Sequence, residues 1–248
     1  MLILLPPSES KSNRRRGRPA DPSSWSFPEL AETRALVAKH LREVSQSPTA
    51  TADLGVSPGL ADEVARNLVL ETAPATPAAE VYTGVLYDAL DLASMDAPAR
   101  RRANSWLVVV SALHGAVRPK DRITAYRLSM DVRLPGLGPV AAAWRPVLDE
   151  VLAPAAGREV VVDCRSSTYA VAWTPRGEVA DRWVQVRVPG ASHMAKHTRG
   201  LVARHLCVVG QRARTPERLA GTVGEAFDVD LTPPARRGRP WVLDVTAR

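Results

Sequence analysis

The first five residues of the chain, Met1 to Leu5, are all apolar, and two consecutive prolines follow them. A run this short does not suit a helix, and prolines end strands, so the pattern predicts a buried β-strand. Residues 104–112 contain a continuous apolar run that is rich in β-branched side chains, which predicts a central strand of a sheet. Four further segments have the composition or alternation of strands: residues 126–134, 159–164, 183–188 and 241–246.

Apolar residues at helical spacing predict helices between these strands. A capping box at Ser26 and Glu29 marks the start of the first helix, which we expect to end near Val44. Ser57-Pro58 marks the start of a second helix that reaches about Leu70. Further helices are predicted over residues 81–90, 140–152, 192–207 (with Ser192 as its cap) and 215–227. Because strands and helices interleave, the predicted fold class is α/β (α+β), a compact mixed β-sheet flanked by helices.

The length and composition predict a single domain over residues 1–248, since no internal repeat or clean boundary is visible. Residues 12–24 are polar, basic and rich in proline, which predicts a surface loop. No apolar run approaches the roughly 20 residues that span a bilayer, and the opening segment is too short for a signal peptide. We therefore expect a cytoplasmic protein without a membrane partner. Cys164 and Cys207 are expected to be reduced, packed thiols.

The net charge of +7 and the pI near 10.0 favour anionic partners, either DNA or a nucleotide-like ligand. Lysines are rare among the 33 basic residues. The pKa of a lysine moves on burial, and arginine does not replace lysine at such a site, so the few lysines stand out. They are Lys11, Lys39, Lys120 and Lys196.

Two polar loops follow predicted buried strands. The first strand leads to Ser8, Glu9 and Lys11, and strand 104–112 leads to a loop that carries basic, acidic and tyrosine side chains. Ligand sites in open α/β sheets form beyond the carboxyl ends of strands, which favours a site at these loops. The alternative is a pair of solvated turns, the second held by an Arg–Asp ion pair. The polar residues of the second loop are His114, Arg118, Lys120, Asp121, Arg122, Tyr126 and Arg127.

Four segments in this order resemble the motifs of the YaaA family of peroxide-stress proteins: MLILLPPSESK, EVYTGV, SALHGAVRPKDRITAYRLSMDVRL and AKHTRGLVARHL. They are similar to the family's PPSEGK opening, VYTG element, SGLYG-LRP-D-I-PYRLEMG segment and K-x-x-RG helix. The resemblance extends from Met1 to about Phe227. It implies a mixed α/β fold of the family's own type, DNA binding and a role in limiting oxidative damage, without an established reaction. Ser10, His114 and Ser129 depart from this pattern.

If the first strand and strand 104–112 lie side by side, their loops meet in a positive cleft that also holds carboxylates. Such a mixture of acids and bases indicates proton transfer, so the candidate catalytic residues are Glu9, Lys11, Asp121 and Lys196. The alternative is an internal salt-bridge network that stabilises the fold. The candidate anion- or ligand-binding residues are Ser8, Tyr82, Thr83, Gly84, Arg118, Tyr126, Arg127, Arg199 and Gly200, of which the last two share one helix face with Lys196.

Residues 133–143 resemble the hairpin of a helix-hairpin-helix element, in which the amides of Gly136 and Gly138 would contact a DNA phosphate. The alternative is a Gly-Pro turn that leads into a helix, since the preceding segment is predicted to be a strand. His193 and His197 have the spacing of a metal pair but lack a third ligand. We therefore expect neither a metal nor a cofactor.

Three functions fit these observations. The leading hypothesis is non-specific DNA binding in protection against peroxide stress. The second is an enzyme of the same fold that acts on a nucleotide, a nucleobase or another anionic small molecule, with Lys11, Glu9 and Asp121 as acid or base. The third is a relative recruited to a biosynthetic pathway, which His114 at an aromatic position favours. The sequence leaves the reaction, the substrate and the oligomeric state open.

Overall fold

The structure is a computed structural model that describes residues 1–190 and 192–248, with the side chains of residues 192 and 193 outside the description. Eleven strands and eleven α-helices are assigned among the described residues. The strands are β1 (Leu2–Leu5), β2 (Thr76–Pro77), β3 (Leu107–Ser111), β4 (Gly115–Val117), β5 (Arg122–Ile123), β6 (Arg133–Leu134), β7 (Gly138–Pro139), β8 (Val161–Asp163), β9 (Trp183–Arg187), β10 (Phe227–Thr232) and β11 (Trp241–Ala247). The helices are α1 (Ala31–Ser45), α2 (Ala50–Asp53), α3 (Ala61–Ala65), α4 (Ala78–Val81), α5 (Val85–Leu90), α6 (Ala97–Trp106), α7 (Val140–Ala156), α8 (Ser167–Ala170), α9 (Gly177–Ala180), α10 (Ser192–Val209) and α11 (Pro216–Gly224).

Seven of the strands form one mixed sheet in the order β10-β11-β9-β8-β1-β3-β4. The five inner strands are parallel, and β10 and β4 pair antiparallel at the two edges. Strand β1 lies between β8 and β3, where Ile3 is opposite both Leu107 and Val162. Its four side chains are buried, as expected for an inner parallel strand covered on both faces. The predicted fold class is confirmed.

The order of the strands creates a switch point beside β1. After β1 the chain next joins this sheet at β3, on one side, whereas β8 is followed by β9 on the other side. Loops that leave two neighbouring parallel strands in opposite directions leave a crevice between them, where ligands bind in open α/β sheets. The crevice in this sheet lies between the loops that follow β1 and β8.

Two close approaches hold helices against the rest of the molecule. Helix α10 packs on α5 at Gly200, where an added Cβ atom would lie 2.2 Å from the carbonyl oxygen of Leu86. Helix α7 places Trp144 against Gly115 at the start of β4, and the indole of Trp144 donates to the carbonyl oxygen of Ala112 at 2.7 Å. Both helices therefore pack at positions where a glycine leaves room.

Most predicted strands are confirmed, and two need correction. The predicted strand 104–112 begins only at Leu107, because residues 104–106 are the end of α6. The predicted strand 126–134 is wrong except for β6, because residues 124–129 belong to no strand. The backbone of Arg127 is instead hydrogen-bonded in both directions by the side chain of Asn67. Strand β10 had no counterpart in the predicted elements.

Several predicted helices are shorter or divided. The capping box is wrong: α1 begins at Ala31 after a 3-10 turn, and the hydroxyl of Ser26 donates to Asp121 at 2.9 Å instead. The predicted helix 57–70 is a series of short pieces, and the predicted helix 81–90 is interrupted at Gly84, whose φ is +92°. Helices α7, α10 and α11 match their predictions closely. The predicted cap at residue 192 falls outside the described side chains.

Candidate functional site

A cleft of about 1100 Å³ opens at the carboxyl ends of β1 and β8, at the switch point of the sheet. Its walls come from loops and helix ends that are far apart in the sequence. The lining residues lie in segments 6–11, 52–56, 83–87, 127–133 and 165–169, with Gln185, Ala195, Lys196 and Arg199.

The loop after β1 is fastened to the segment that precedes α5. The Oγ atom of Ser8 accepts from the backbone N–H of Thr83 at 3.1 Å, and the Thr83 hydroxyl donates to the carbonyl oxygen of Ser10 at 3.2 Å. The hydroxyl of Tyr87 donates to the carbonyl oxygen of Pro6 at 2.7 Å. These hydrogen bonds fix the shape of the PPSES turn and hold it against the YTG segment, residues 82–84.

The side chain of Lys11 is held inside this turn. Its Nζ atom donates to the carbonyl oxygen of Ser8 at 2.8 Å and lies 3.4 Å from that of Glu9. The same atom lies 4.4 Å from the centre of the Tyr126 ring. The amine of Lys11 is thus fixed by two carbonyl oxygens and one aromatic face, at a position that lines the cleft.

The surroundings of Lys11 lower its pKa to about 7, far below that of an ordinary lysine. Burial is the main cause, and the positive charges of Arg127 and Arg66 lower the pKa further. The carboxylates of Glu63 and Glu9 act in the opposite direction. Lys11 is therefore a lysine whose amine can lose or gain a proton near neutral pH.

A chain of hydroxyl groups supports the aromatic face under Lys11. The hydroxyl of Tyr126 lies 2.7 Å from the Oγ atom of Ser111 and 3.2 Å from the hydroxyl of Tyr82. Ser111 ends strand β3 and accepts from the backbone N–H of His114 at 3.1 Å. Burial raises the pKa of Tyr126 well above its usual value, so this phenol stays neutral. The platform under Lys11 is thereby anchored to the central sheet.

Arg127 stands beside Lys11 and is fixed at both its backbone and its side chain. Its guanidinium lies 3.3 Å from Glu63 and 3.4 Å from the carbonyl oxygen of Glu9, and Asn67 bonds its backbone. Neither Glu63 nor Asn67 was identified from the sequence. The only indication of this contact in the sequence was Asn67, a polar side chain within the segment that was predicted to be helical.

Further lining residues come from the loop after β8 and from the first turns of α10. Arg165 pairs with Asp163 through two bonds of 2.8 and 2.7 Å, and both side chains are buried. The hydroxyl-bearing residues 166–168 follow this pair and line the cleft. Lys196 and Arg199 face the same cleft, and the Nε atom of Arg199 donates to the carbonyl oxygen of Val186 at 3.1 Å. The sequence predicted the two cations of α10 but not the Asp163–Arg165 pair.

Some predicted site residues lie elsewhere. Asp121 is buried and accepts from the backbone N–H and hydroxyl of Ser26 and from the backbone N–H of Arg118. The guanidinium of Arg118 stacks over Phe27 and bonds the carbonyl oxygen of Ser105. Neither charged group lines the cleft, so the expected meeting of Asp121 and Arg118 with Lys11 does not occur. Gly200 is buried in the contact between α10 and α5 and is not part of the lining either.

The remaining predicted residues gather in or under the cleft. Ser8, Glu9, Thr83 and Gly84 line it, while Tyr82 is buried beneath it. Thus three of the four candidate catalytic residues, all except Asp121, share one cavity.

The Gly136–Gly138 turn connects the two strands of the β6–β7 hairpin. Both glycines have positive φ, +76° and +86°, which favours glycine at these positions. The turn is not the hairpin of a helix-hairpin-helix element, because a strand rather than a helix precedes it. Arg133, which begins the hairpin, lines the cleft, so the turn lies next to the candidate site.

Two further features bear on chemistry. Cys164 and Cys207 are buried, and burial raises the pKa of each thiol to about 12. Among the side chains that the structure describes, which do not include His193, no three His, Cys, Asp or Glu are grouped so that they could hold a metal ion. The His193–His197 pair, at which no metal was predicted, therefore lies partly outside the described side chains. Within the described part of the chain, no helix is long and apolar enough to cross a membrane.

Comparison with known proteins identifies the relatives of this chain. UPF0246 protein SCO2297 of Streptomyces coelicolor is 49% identical over 254 residues, which cover 99% of this chain and 98% of that protein. UPF0246 protein CE1889 of Corynebacterium efficiens is 38% identical over 237 residues, with 92% and 91% covered. Residues 1–231 match the sequence profile of the family described as Peroxide stress protein YaaA. The resemblance drawn from the four motifs is confirmed, and the chain belongs to the YaaA family of peroxide stress proteins.

Proposed function

We propose that this protein acts in peroxide-stress defence by binding an anionic, nucleotide-like ligand in the cleft between the loops after β1 and β8. The observation that carries this proposal is the lining of the cleft, which has six basic and three acidic residues; two of the six, Arg127 and Arg165, are paired with carboxylates outside the lining, so four basic residues face three acidic ones. The basic residues are Lys11, Arg127, Arg133, Arg165, Lys196 and Arg199, and the acidic ones are Glu9, Asp53 and Asp131.

The distribution of these groups favours a phosphate ester. Lys196 and Arg199 of α10 and the hydroxyl-bearing residues 166–168 all line the cleft. Cations and hydroxyl donors together are the groups that bind phosphate oxygens. Glu9 and Lys11 also line the cleft, where an acid and a base could exchange protons with the bound molecule.

The size of the cleft favours a small molecule over a double helix as its occupant. Ligand pockets are typically about 300–1,000 Å³, and this cleft, at about 1100 Å³, is slightly larger than that range. A nucleotide or a phosphorylated metabolite fits a cavity of this volume, whereas duplex DNA could contact only its rim.

Binding of nucleotides to variants tests this proposal. We expect AMP to raise the melting temperature of the protein, and we expect Lys196→Gln and Arg199→Gln each to weaken AMP binding by about tenfold or more, since each removes a charge-assisted bond. Arg218→Gln, which removes an exposed arginine from α11, is the matched control and should leave binding unchanged. Equal affinity in all three variants would contradict the proposal.

The Gly136–Gly138 turn supports a second candidate function, non-specific DNA binding. Exposed Gly136 has no side chain to shield its amide, and Arg133 stands at the base of the same hairpin. Backbone amides and arginine are groups that contact DNA phosphates without reading sequence. We expect Arg133→Gln to weaken duplex binding and to lower the slope of log K against log salt by about 1, with Arg218→Gln again as the control. An unchanged salt slope in Arg133→Gln would rule out this contact.

A further inference from the structure

We propose that Lys11 forms a reversible imine with an anionic aldehyde or ketone bound in the cleft. This inference rests on the proposed function, because it requires an anion to be held near Lys196 and Arg199. It adds the class of ligand, a carbonyl compound that carries a phosphate or carboxylate group, and it gives Lys11 the role of nucleophile.

The first argument is the number of hydrogen-bond acceptors around the amine of Lys11. A neutral amine has two N–H donors and one lone pair, whereas an ammonium group has three donors and no lone pair. The Nζ atom of Lys11 has two backbone acceptors, the carbonyl oxygens of Ser8 and Glu9. Two bonds to these oxygens would use both hydrogens of the neutral amine and leave its lone pair free for a bound carbon atom.

The second argument is that the amine is fixed but accessible. Tyr126 covers one side of Nζ at 4.4 Å, and Tyr82 lies on another side with its ring centre 6.0 Å away. The loop that carries Lys11 is pinned by the bonds between Ser8, Ser10 and Thr83. Lys11 is partly exposed and belongs to the lining of the cleft. In the proposal, the carbonyl group approaches Nζ from the cleft.

The charges that face Lys11 support the neutral form. Burial together with Arg127 and Arg66 outweighs the opposing carboxylates of Glu63 and Glu9 and brings the pKa of Lys11 to about 7. About half of the Lys11 amines are then unprotonated at pH 7, compared with less than about 0.1% for an ordinary lysine. Lysines activated in this way form Schiff bases with carbonyl substrates.

The chemical step is balanced without an oxidant or a metal. The Nζ lone pair attacks the carbonyl carbon, a C–N bond forms, and the π electrons of the C=O bond move to oxygen. A proton passes from nitrogen to this oxygen through water at the open mouth of the cleft. The resulting carbinolamine loses water and gives C=N, so the net reaction converts an amine and a carbonyl into an imine and one water molecule.

Pyridoxal 5′-phosphate is a suitable probe because it combines one aldehyde with one phosphate. Borohydride reduces its lysine imine to a stable secondary amine, and digestion with mass spectrometry then measures the label on each lysine of the full-length protein. The chain contains its own controls: Lys39 and Lys120 are exposed outside the cleft, and Lys196 is exposed within its lining. Because all four lysines are compared in the unaltered protein, no variant has to fold.

We expect Lys11 to be labelled at least about tenfold faster than the other three lysines at about pH 7.5, because most of its amine is unprotonated there. Its labelling rate should level off above about pH 8, because an amine with a pKa of about 7 is almost fully deprotonated there. Pyridoxal, which lacks the phosphate, should label Lys11 at least about tenfold more slowly. Similar rates at all four lysines, or a Lys11 rate that still rises above about pH 9, would overturn the proposal.

Binding of AMP separates this inference from the proposed function, since AMP carries a phosphate but no aldehyde or ketone. If AMP binds and Lys11 is not labelled, the imine proposal fails and the anionic cleft stands. If Lys11 is labelled equally by pyridoxal and its phosphate and AMP gives no protection, the anionic class of ligand is wrong, and with it the proposed function.

Discussion

The Nζ atom of Lys11 lies 4.4 Å from the centre of the Tyr126 ring. This contact joins the loop after β1 to the segment after β5. The Tyr126 hydroxyl is in turn hydrogen-bonded to Ser111 at the end of β3. A lysine, its aromatic support and a sheet residue thus form one assembly at the edge of the cleft. The assembly holds the Lys11 amine in place, while burial and the charge of Arg127 lower its pKa to about 7.

The buried amine of Lys11 should make the stability of the protein depend on pH above neutrality. The pKa of Lys11 is about 7 in the folded protein and 10.5 in the absence of structure, so the unfolded chain binds more protons between these values. The contribution of Lys11 to the free energy of unfolding therefore rises with pH from about 7 to about 10.5 and is least favourable below pH 7.

Lys11→Met tests this dependence. We expect the variant to lack the increase in stability between about pH 7 and about pH 9.5 that Lys11 gives the unaltered protein, as measured by urea denaturation at several pH values. Lys120→Met, which changes an exposed lysine, is the control and should leave the pH dependence unchanged. Parallel curves for the unaltered protein and Lys11→Met would show that the amine is not perturbed by folding.

His114 should make the protein sensitive to acid. Its ring is buried against Trp25 and Tyr126, its Nε2 atom has no hydrogen-bond partner among the described residues, and burial lowers its pKa to about 3. The unfolded chain takes up this proton near pH 6.5, so stability is lost as the pH falls from about 6.5 towards 3. The expected loss is about 1.4 kcal/mol per pH unit within that interval.

His114→Phe keeps a ring in the same place and removes the titrating group. We expect it to reduce the loss of stability between about pH 6 and about pH 4 by roughly 1.4 kcal/mol per pH unit, measured by urea denaturation. An acid profile that is the same in the variant and the unaltered protein would contradict this role of His114.

Replacement of Asp163 in the Asp163–Arg165 pair should lower the free energy of unfolding strongly. Both side chains are almost completely buried, and Asp163 also accepts from the indole of Trp183 at 3.0 Å. Asp163→Asn leaves the guanidinium of Arg165 buried without its countercharge, for which we expect a loss of about 3–5 kcal/mol in chemical denaturation.

An exposed ion pair provides the control for this prediction. Arg14 and Glu80 are bonded at 3.0 Å, but their side chains are 59% and 52% exposed. Glu80→Gln should therefore cost less than about 1 kcal/mol. A similar cost for Asp163→Asn and Glu80→Gln would mean that the buried pair does not support the wall of the cleft.

Gly200 should be required for the position of Lys196 and Arg199. An added Cβ atom would lie 2.2 Å from a backbone oxygen of α5 and 2.9 Å from Ala89, so Gly200→Ala has to separate the two helices. We expect a cost of roughly 1–3 kcal/mol in denaturation and a loss of affinity for AMP, because the cations of α10 move with their helix.

Gly221→Ala is the matched substitution in another helix. Gly221 lies within α11, and nothing stands within 4 Å of its added Cβ atom. The alanine should stabilise the protein by about 0.5–1 kcal/mol, because alanine loses less conformational freedom than glycine when a helix forms. Stabilisation by both substitutions would show that α10 and α5 do not need the close approach at Gly200.

The sequence allowed the prediction of the sheet and of several lining residues of the cleft, because local patterns indicate strand ends and the faces of helices. A continuous apolar run such as Leu2–Leu5 is typical of an inner parallel strand, and the residues after it were expected at the carboxyl edge. The clamp on Arg127 by Asn67 depends on a contact between distant segments, which no periodicity records. The segment around Tyr126 was predicted as a strand from its alternating side chains, and its lack of a sheet partner also depends on contacts between distant segments.

Asp121 illustrates the second limit of prediction from sequence. A carboxylate between Lys120 and Arg122 has the features of a catalytic group, but its oxygens are used to fix Ser26 and the turn at Arg118. The choice between these roles depends on which residues fold against the loop. Composition indicated an excess of basic residues, and the tertiary structure determines which charged side chains line the cleft.

A structure of the protein with bound AMP tests the central claim most directly. We expect the phosphate group between the loop at residues 166–168 and the side chains of Lys196 and Arg199, with the rest of the nucleotide towards Lys11. AMP bound at a different surface, or no bound AMP at concentrations that shift the melting temperature, would contradict the assignment of this cleft as the functional site.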